Sequence, residues 1–327
     1  MPFRLSVLDQ SPISEGSTGA DALRNSIDLA RHTEALGYER YWVAEHHGTP
    51  MLASAAPEIL IAEIAAATSR IRVGSGGVML PHYSPLKVAE VFSMLAALHP
   101  GRVDLGIGRA PGTDPHTMFA LQRDRRLAAP DDFPEQLAEL LGLLEDDLPP
   151  DHPFSRLTAL PGGPERPEVW LLGSSSQSAI WAAELGLPYS FADFINPEGA
   201  ELVRLYRERF RPSVRRDSPC VAAAVAAICA ETEEEAERLA ASWRMARAFL
   251  HSGRLIPVPP VEKALAFLAE HELPSSGRRA VVGAPDTVRD GLEEIAREYD
   301  ADELMLVTIT HDHAARRRSY ELVAGAF

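Results

Sequence analysis

The chain has 327 residues, 46% of them hydrophobic, and a formal net charge of −15 at pH 7. That acidity, with basic residues clustered only in the short runs 123–126 and 316–318, argues against nucleic acid or an anionic membrane as a partner. Two cysteines are too few for a disulfide framework; Cys220 and Cys229 share one apolar run and read as small core residues. Met1-Pro2-Phe3-Arg4 leads directly into an apolar stretch with no signal-like segment, and no run approaches about 20 apolar residues. The expectation is a soluble cytoplasmic protein.

Strands alternate with helices from the start. Arg4–Asp9 reads as a strand, Ala20–Leu36 as a helix ended by Gly37, and Glu39–Ala44 as the second strand. Pro57–Thr68 is helical, Ile71–Leu80 is the third strand, Pro85–Leu98 is a helix with proline at its start, and Val103–Ile107 is the fourth strand. Residues 110–167 form a proline-punctuated excursion holding one helix at Phe133–Leu144. Glu168–Leu172, a helix at Ser176–Leu185, Pro188–Phe191 and a helix at Glu198–Phe210 follow. Cys220–Ala230 fits helix or strand by periodicity. The Pro219 before it and the Thr232/Glu235 capping box after it favour a strand. A long helix, Glu233–Phe249, leads to a second excursion at 252–279 with a helix at Val261–Glu270. Pro285–Tyr299 is helical, Glu303–Thr308 is the eighth strand, and Ala314–Ala324 is the last helix. Eight strand–helix units in one domain spanning residues 1–327 predict a (β/α)8 TIM barrel. An open doubly wound sheet would want a glycine-rich turn after its first strand, where this chain has Asp9-Gln10-Ser11-Pro12.

In such a barrel the active site is built at the C-terminal ends of the strands. Those ends carry Asp9-Gln10, Glu45-His46-His47, Gly74-Ser75-Gly76-Gly77, Gly108-Arg109, Gly173-Ser174-Ser175-Ser176, Asp193, and Thr308 with Thr310 and His311. The serine run between a strand and a helix suits an anion, or ordinary N-capping. Arg109 can reach the same anion, or pair with Asp104 or Asp114. Glycines in a strand mark a close backbone approach, by a flat ligand or by a barrel bend. Of the adjacent His46 and His47 only one is expected to enter the pocket; a histidine beside Glu45 suits proton transfer. A metal site from His46, His47, His311 and His313 with Glu45 or Asp9 is the weaker alternative, for want of a compact ligand motif.

Ala44-Glu45-His46-His47 after a strand resembles the bacterial luciferase-like monooxygenase family. So do Ile71–Pro81, Gly101–Arg109, Gly173–Ser176 with the Trp181–Pro188 helix end, and the Gly283-Ala284-Pro285-Asp286-Thr287-Val288 turn. The likeness covers most of the chain and is weakest over 119–166 and 245–279. It implies a TIM barrel binding reduced FMN, with a cis peptide at Gly76-Gly77 against the flavin ring. It places Arg109, Gly173, Ser174 and Ser175 at the flavin phosphate, and His46 as the catalytic histidine with Glu45 beside it. Gly108 stands where the luciferase α chain has its reactive cysteine, and Ser174 replaces an acidic residue.

The implied function is a flavin-dependent monooxygenase that uses reduced FMN and O2 on a small organic substrate. A separate flavin reductase would supply the reduced cofactor, residues 252–279 would act as a lid, and Pro57–Thr68 and Pro85–Leu98 would form a homodimer interface. Deazaflavin-dependent hydride transfer, a non-catalytic flavin-binding protein and a metal-dependent hydrolase remain as alternatives.

Overall fold

The computed structural model describes residues 3–109, 114–122, 132–271 and 279–327. Nine strands are β1 (Arg4–Asp9), β2 (Arg40–Val43), β3 (Arg72–Met79), β4 (Val103–Gly108), β5 (Glu168–Gly173), β6 (Tyr189–Ala192), β7 (Val221–Cys229), β8 (Val281–Gly283) and β9 (Glu303–Val307). All pair in parallel. The order β1-β2-β3-β4-β5-β6-β7-β9 returns to β1, so eight strands close a barrel. β8 was not expected. It is three residues long and pairs with β7 beyond the stretch of β7 that is bonded to β6 and β9.

The helices are α1 (Gly19–Ala35), α2 (Pro57–Ala67), α3 (Pro85–Leu98), α4 (Pro115–Leu121), α5 (Phe133–Glu145), α6 (Ser176–Glu184), α7 (Ala200–Arg209), α8 (Glu233–His251), α9 (Val261–Glu270), α10 (Pro285–Tyr299) and α11 (His313–Gly325). The short α4 lies in what was read as irregular chain. Its first turn is held by Asp114, which accepts from the amides of His116 and Thr117. Only half of the expected box at α8 forms: Thr232 accepts from the Glu235 amide, while the Glu235 carboxylate pairs with Arg238. The reciprocal box is at α1, between Thr18 and Asp21. The basic run 123–126 and residues 272–278 of the expected lid lie outside the described residues.

Strand alternation divides the core in two. Val7, Tyr41, Val73, Leu105, Leu171 and Leu306 face the helices. Leu8, Trp42, Trp170, Ala222, Ala224, Met305 and Val307 form the interior cluster. Trp42 and Trp170 meet edge to face, with centroids 5.3 Å apart. The space for them comes from neighbours without side chains. A Cβ on Gly74 would come within 3.0 Å of the Trp42 indole nitrogen, and one on Gly106 would overlap the Ser75 carbonyl oxygen.

Below the tryptophans, toward the strand N-termini, lies a layer of charge. The Arg40 guanidinium donates to Asp104 and Glu168, both at 2.9 Å, and to Glu303 at 3.1 Å. Arg72 also binds Asp104, and Trp42 Nε1 donates to the same carboxylate at 2.9 Å. The groups are mutually satisfied, as buried charges must be, and they plug the lower end of the barrel.

Candidate active site

A cavity of about 580 Å3 opens at the upper end, where the strands finish. Its wall includes Glu45, His46, Gly76, Gly77, Gly108, Arg109, Gly173, Ser174 and Ser175, so the residues that the family likeness placed at the flavin share one space. Leu8, Trp42, Met79, Phe133, Leu172, Trp181, Phe194 and Ile195 make the remainder largely apolar. Sequence reading missed these apolar residues. Trp42, two residues before Ala44 on the inward register of β2, could have been found from strand alternation alone.

The floor is bare backbone. The Gly76–Gly77 peptide is cis, and the pairing of β3 with β4 shifts between Ser75 and Val78. A Cβ on Gly77 would lie 2.7 Å from the Gly106 carbonyl oxygen, and one on Gly76 would overlap Leu8. The close approach of β3 to β4 thus accounts for Gly77, and the packing of Leu8 and Trp42 for Gly76. It also leaves a flat surface facing the cavity.

β2 ends at Val43, before the two histidines, yet only His46 lines the cavity. His46 is part-buried in the cavity wall, and its Nδ1 is shielded from solvent with no hydrogen-bond partner. Burial, and then the neighbouring His47, push its pKa down to about 4, so the ring is neutral at ordinary pH. His47 turns away: its Nε2 lies 2.8 Å from Glu45 Oε1, and its ring stands edge-on to His82.

On the opposite wall, Ser175 caps α6 by accepting from the Ser178 amide, so the capping alternative is realised for this serine. Ser178 Oγ lies 3.0 Å from the Tyr189 hydroxyl. Arg109 is exposed, with its guanidinium 5.7 Å from the Trp181 ring centre. The carboxylates weighed as its alternative partners are engaged elsewhere: Asp104 with Arg40 and Arg72, Asp114 in capping α4.

Other rim residues leave the cavity. Asp9 is wholly buried, where it accepts from Tyr41 and from Arg316. Asp193 binds Arg279 and Tyr299. Thr308 donates to the Ala227 carbonyl. His311 and His313 contact Glu15 and Asp28, so the four histidines of the metal alternative are not brought together. Among the described residues no group of three or more metal-ligating side chains forms. A larger hollow, about 860 Å3, lies near the lower end of the barrel. Its charges are spent on one another, as in Arg215 with Glu145 and Arg216 with Glu168, and it lies away from the end where barrel enzymes place their chemistry.

The model of the luciferase-like monooxygenases matches residues 1–302. The chain belongs to that family. It is accordingly an oxidoreductase, of a class that acts on a small-molecule substrate with O2. The crystal structure of apo-MsnO8 is 46% identical and superposes with a TM-score of 0.90, covering 99% of this chain and 98% of that one. A luciferase-like monooxygenase of Escherichia coli K12 is 42% identical over 97% of this chain and 95% of the relative. The N-acetyl-S-alkylcysteine monooxygenase of Bacillus subtilis is 38% identical over 99% and 98%. Two remoter structures share the fold. One is the oxygenating constituent of 3,6-diketocamphane monooxygenase from Pseudomonas putida in complex with FMN (20% identity, 98% and 97% covered, TM-score 0.74). The other is an F420-dependent secondary alcohol dehydrogenase (16%, 100% and 99%, TM-score 0.70). None of the described helices is long and apolar enough to cross a membrane.

Proposed function

We propose that the upper cavity binds reduced FMN and that the enzyme uses it with O2 to oxygenate a small organic substrate. The observation that carries this reading is the composition of one wall-to-wall space. It joins a side-chain-free floor at Gly76–Gly77, a neutral imidazole with a shielded, unpartnered nitrogen, and an arginine beside a serine-rich helix start. The floor suits a planar ring, and the third group suits a phosphate. The bound cofactor would supply two-electron activation of O2, which the polypeptide's own side chains do not provide.

The residues divide the remaining work. Arg109 and the Gly173-Ser174-Ser175 segment before α6 would hold the phosphate. Gly76 and Gly77 let the ring lie against backbone. His46, kept neutral at ordinary pH by its low pKa, holds or passes a proton at the cavity wall. Leu8, Trp42 and Phe194 keep water from the reacting atoms. The chain acts as one barrel domain in the cytoplasm and forms a homodimer through α2 and α3, with a separate flavin reductase delivering the reduced cofactor. A deazaflavin is the second reading, supported by the F420-dependent barrel of the same fold.

Titration of the cofactor-free protein with FMN and with F420 separates the two readings. Oxygen consumption is then measured with FMN, NADH and a flavin reductase across a panel of thioethers and ketones. The expected result is oxygenated product from the wild type and a loss of at least about 100-fold in His46→Ala, the range usual for a lost acid–base group. Free peroxide as the sole product of both proteins would sink the monooxygenase reading.

A further inference from the structure

Glu45 was expected to share the catalytic work with His46, but its partners all lie within the protein. The side chain is fully buried. Oε1 accepts from the Tyr83 hydroxyl at 3.0 Å and lies 2.8 Å from His47 Nε2, while Oε2 accepts from the Met79 amide at 3.0 Å. Because an ionised carboxylate only accepts, His47 meets it with an N–H. Burial, followed by the Glu45 charge, raises the Tyr83 pKa, which keeps the phenol a donor.

These bonds join two pieces of chain that are distant in sequence. His47 belongs to the loop after β2, Met79 is the last residue of β3, and Tyr83 follows the short 3-10 turn Leu80–His82. Met79 stands two residues beyond Gly77, past the register shift, where it pairs with Gly108. The carboxylate therefore links the loop that carries His46 to the strand that carries the glycine floor. A backbone amide and a phenol at such distances, each bonded to a charged acceptor, make stronger bonds than neutral pairs do.

We propose that Glu45 is a positioning residue: its carboxylate fixes the exit of β3 against the exit of β2, sets the place of His46 over the Gly76–Gly77 floor, and moves no proton. The proposal rests on the flavin reading only for the ligand used in the second arm of its test.

The first arm needs no cofactor. Hydrogen–deuterium exchange over residues 74–83 is compared in wild type, Glu45→Gln, Glu45→Ala and Tyr83→Phe. Exchange is expected to quicken about 10-fold or more in Glu45→Ala, the loss of one charged hydrogen bond. Tyr83→Phe should fall between, and Glu45→Gln, which keeps an acceptor for Met79, should stay within about 3-fold of wild type. Tyr83→Phe removes one oxygen atom and gives a reading even if Glu45→Ala does not fold. In the second arm FMN affinity is measured, with kcat, KM and the pH profile of turnover. Glu45→Ala should bind FMN at least about 10-fold more weakly, while Glu45→Gln retains both the affinity and the shape of the pH profile. Wild-type exchange rates in Glu45→Ala and Tyr83→Phe would overturn the proposal. So would a Glu45→Gln protein that is protected and binds FMN normally yet loses kcat about 100-fold at unchanged KM, since that is the behaviour of a proton carrier. A wild type that binds neither FMN nor F420 would refute the cofactor reading and leave the exchange arm to decide this one.

Discussion

Between pH 6.5 and 4 the folded and unfolded forms of this chain differ in their appetite for a proton at His46. An ordinary histidine titrates near 6.5; here burial, and then His47, push the pKa down to about 4. In that window the unfolded chain is protonated and the folded chain is not. Stability therefore falls as pH drops from 6.5 toward 4, by at most about 3 kcal/mol from this residue. Above 6.5 both forms are neutral and the contribution is absent. Replacing His46 by Asn removes the effect while leaving every other titrating group in place. Urea midpoints at pH 7 and 4.5 should show a smaller acid loss for His46→Asn than for wild type; parallel losses would mean that the imidazole is not desolvated. The choice of His46 over His47 came from the family likeness, alternation having said only that one of the two would enter the cavity. What could not be read was the engagement of Glu45, because its three donors come from positions 2, 34 and 38 residues away.

Strand β4 offers a controlled comparison between two glycines two residues apart. At Gly106 a Cβ would overlap the Ser75 carbonyl and approach Leu172 to 3.0 Å, whereas at Gly108 the nearest atom is the Val78 carbonyl oxygen at 4.0 Å. The first glycine is required by packing of β3 on β4. The second is not, and its bareness leaves space in the cavity. Gly106→Ala should cost about 1–3 kcal/mol or more in thermal unfolding, and Gly108→Ala should cost little while tightening the cavity. Equal destabilisation of the two would contradict this assignment. Most elements were readable: the bounds of Arg4–Asp9, Val261–Glu270 and Pro285–Tyr299 agree to the residue, since each has strong periodicity or a proline or aspartate boundary. β8 was not readable, because three residues carry no period. At α8 the sequence promised a reciprocal cap, but an arginine one turn on competes for Glu235.

Over the whole molecule, α2 and α3 pack side by side and expose Ile59 (67%), Met94 (53%) and Leu98 (69%). Exposed large apolar side chains on two neighbouring helices suit the proposed homodimer. Paired Met94→Glu and Leu98→Glu substitutions should convert a dimer to a monomer in light scattering with the circular dichroism unchanged, and a wild type that is already monomeric would end that proposal. The closed barrel was legible from the order of eight strand–helix units. The separation of rim residues was not: Asp9 and Asp193 adjoin the cavity-lining Gln10 and Ala192, yet each is drawn off the cavity by a partner distant in sequence, Arg316 and Arg279. The ionic layer of Arg40, Asp104, Glu168 and Glu303, roofed by Trp42 and Trp170, has one more implication. It shuts the lower end, so ligands reach the cavity from the upper rim, and a cofactor seated there would itself form part of the surface that a substrate meets.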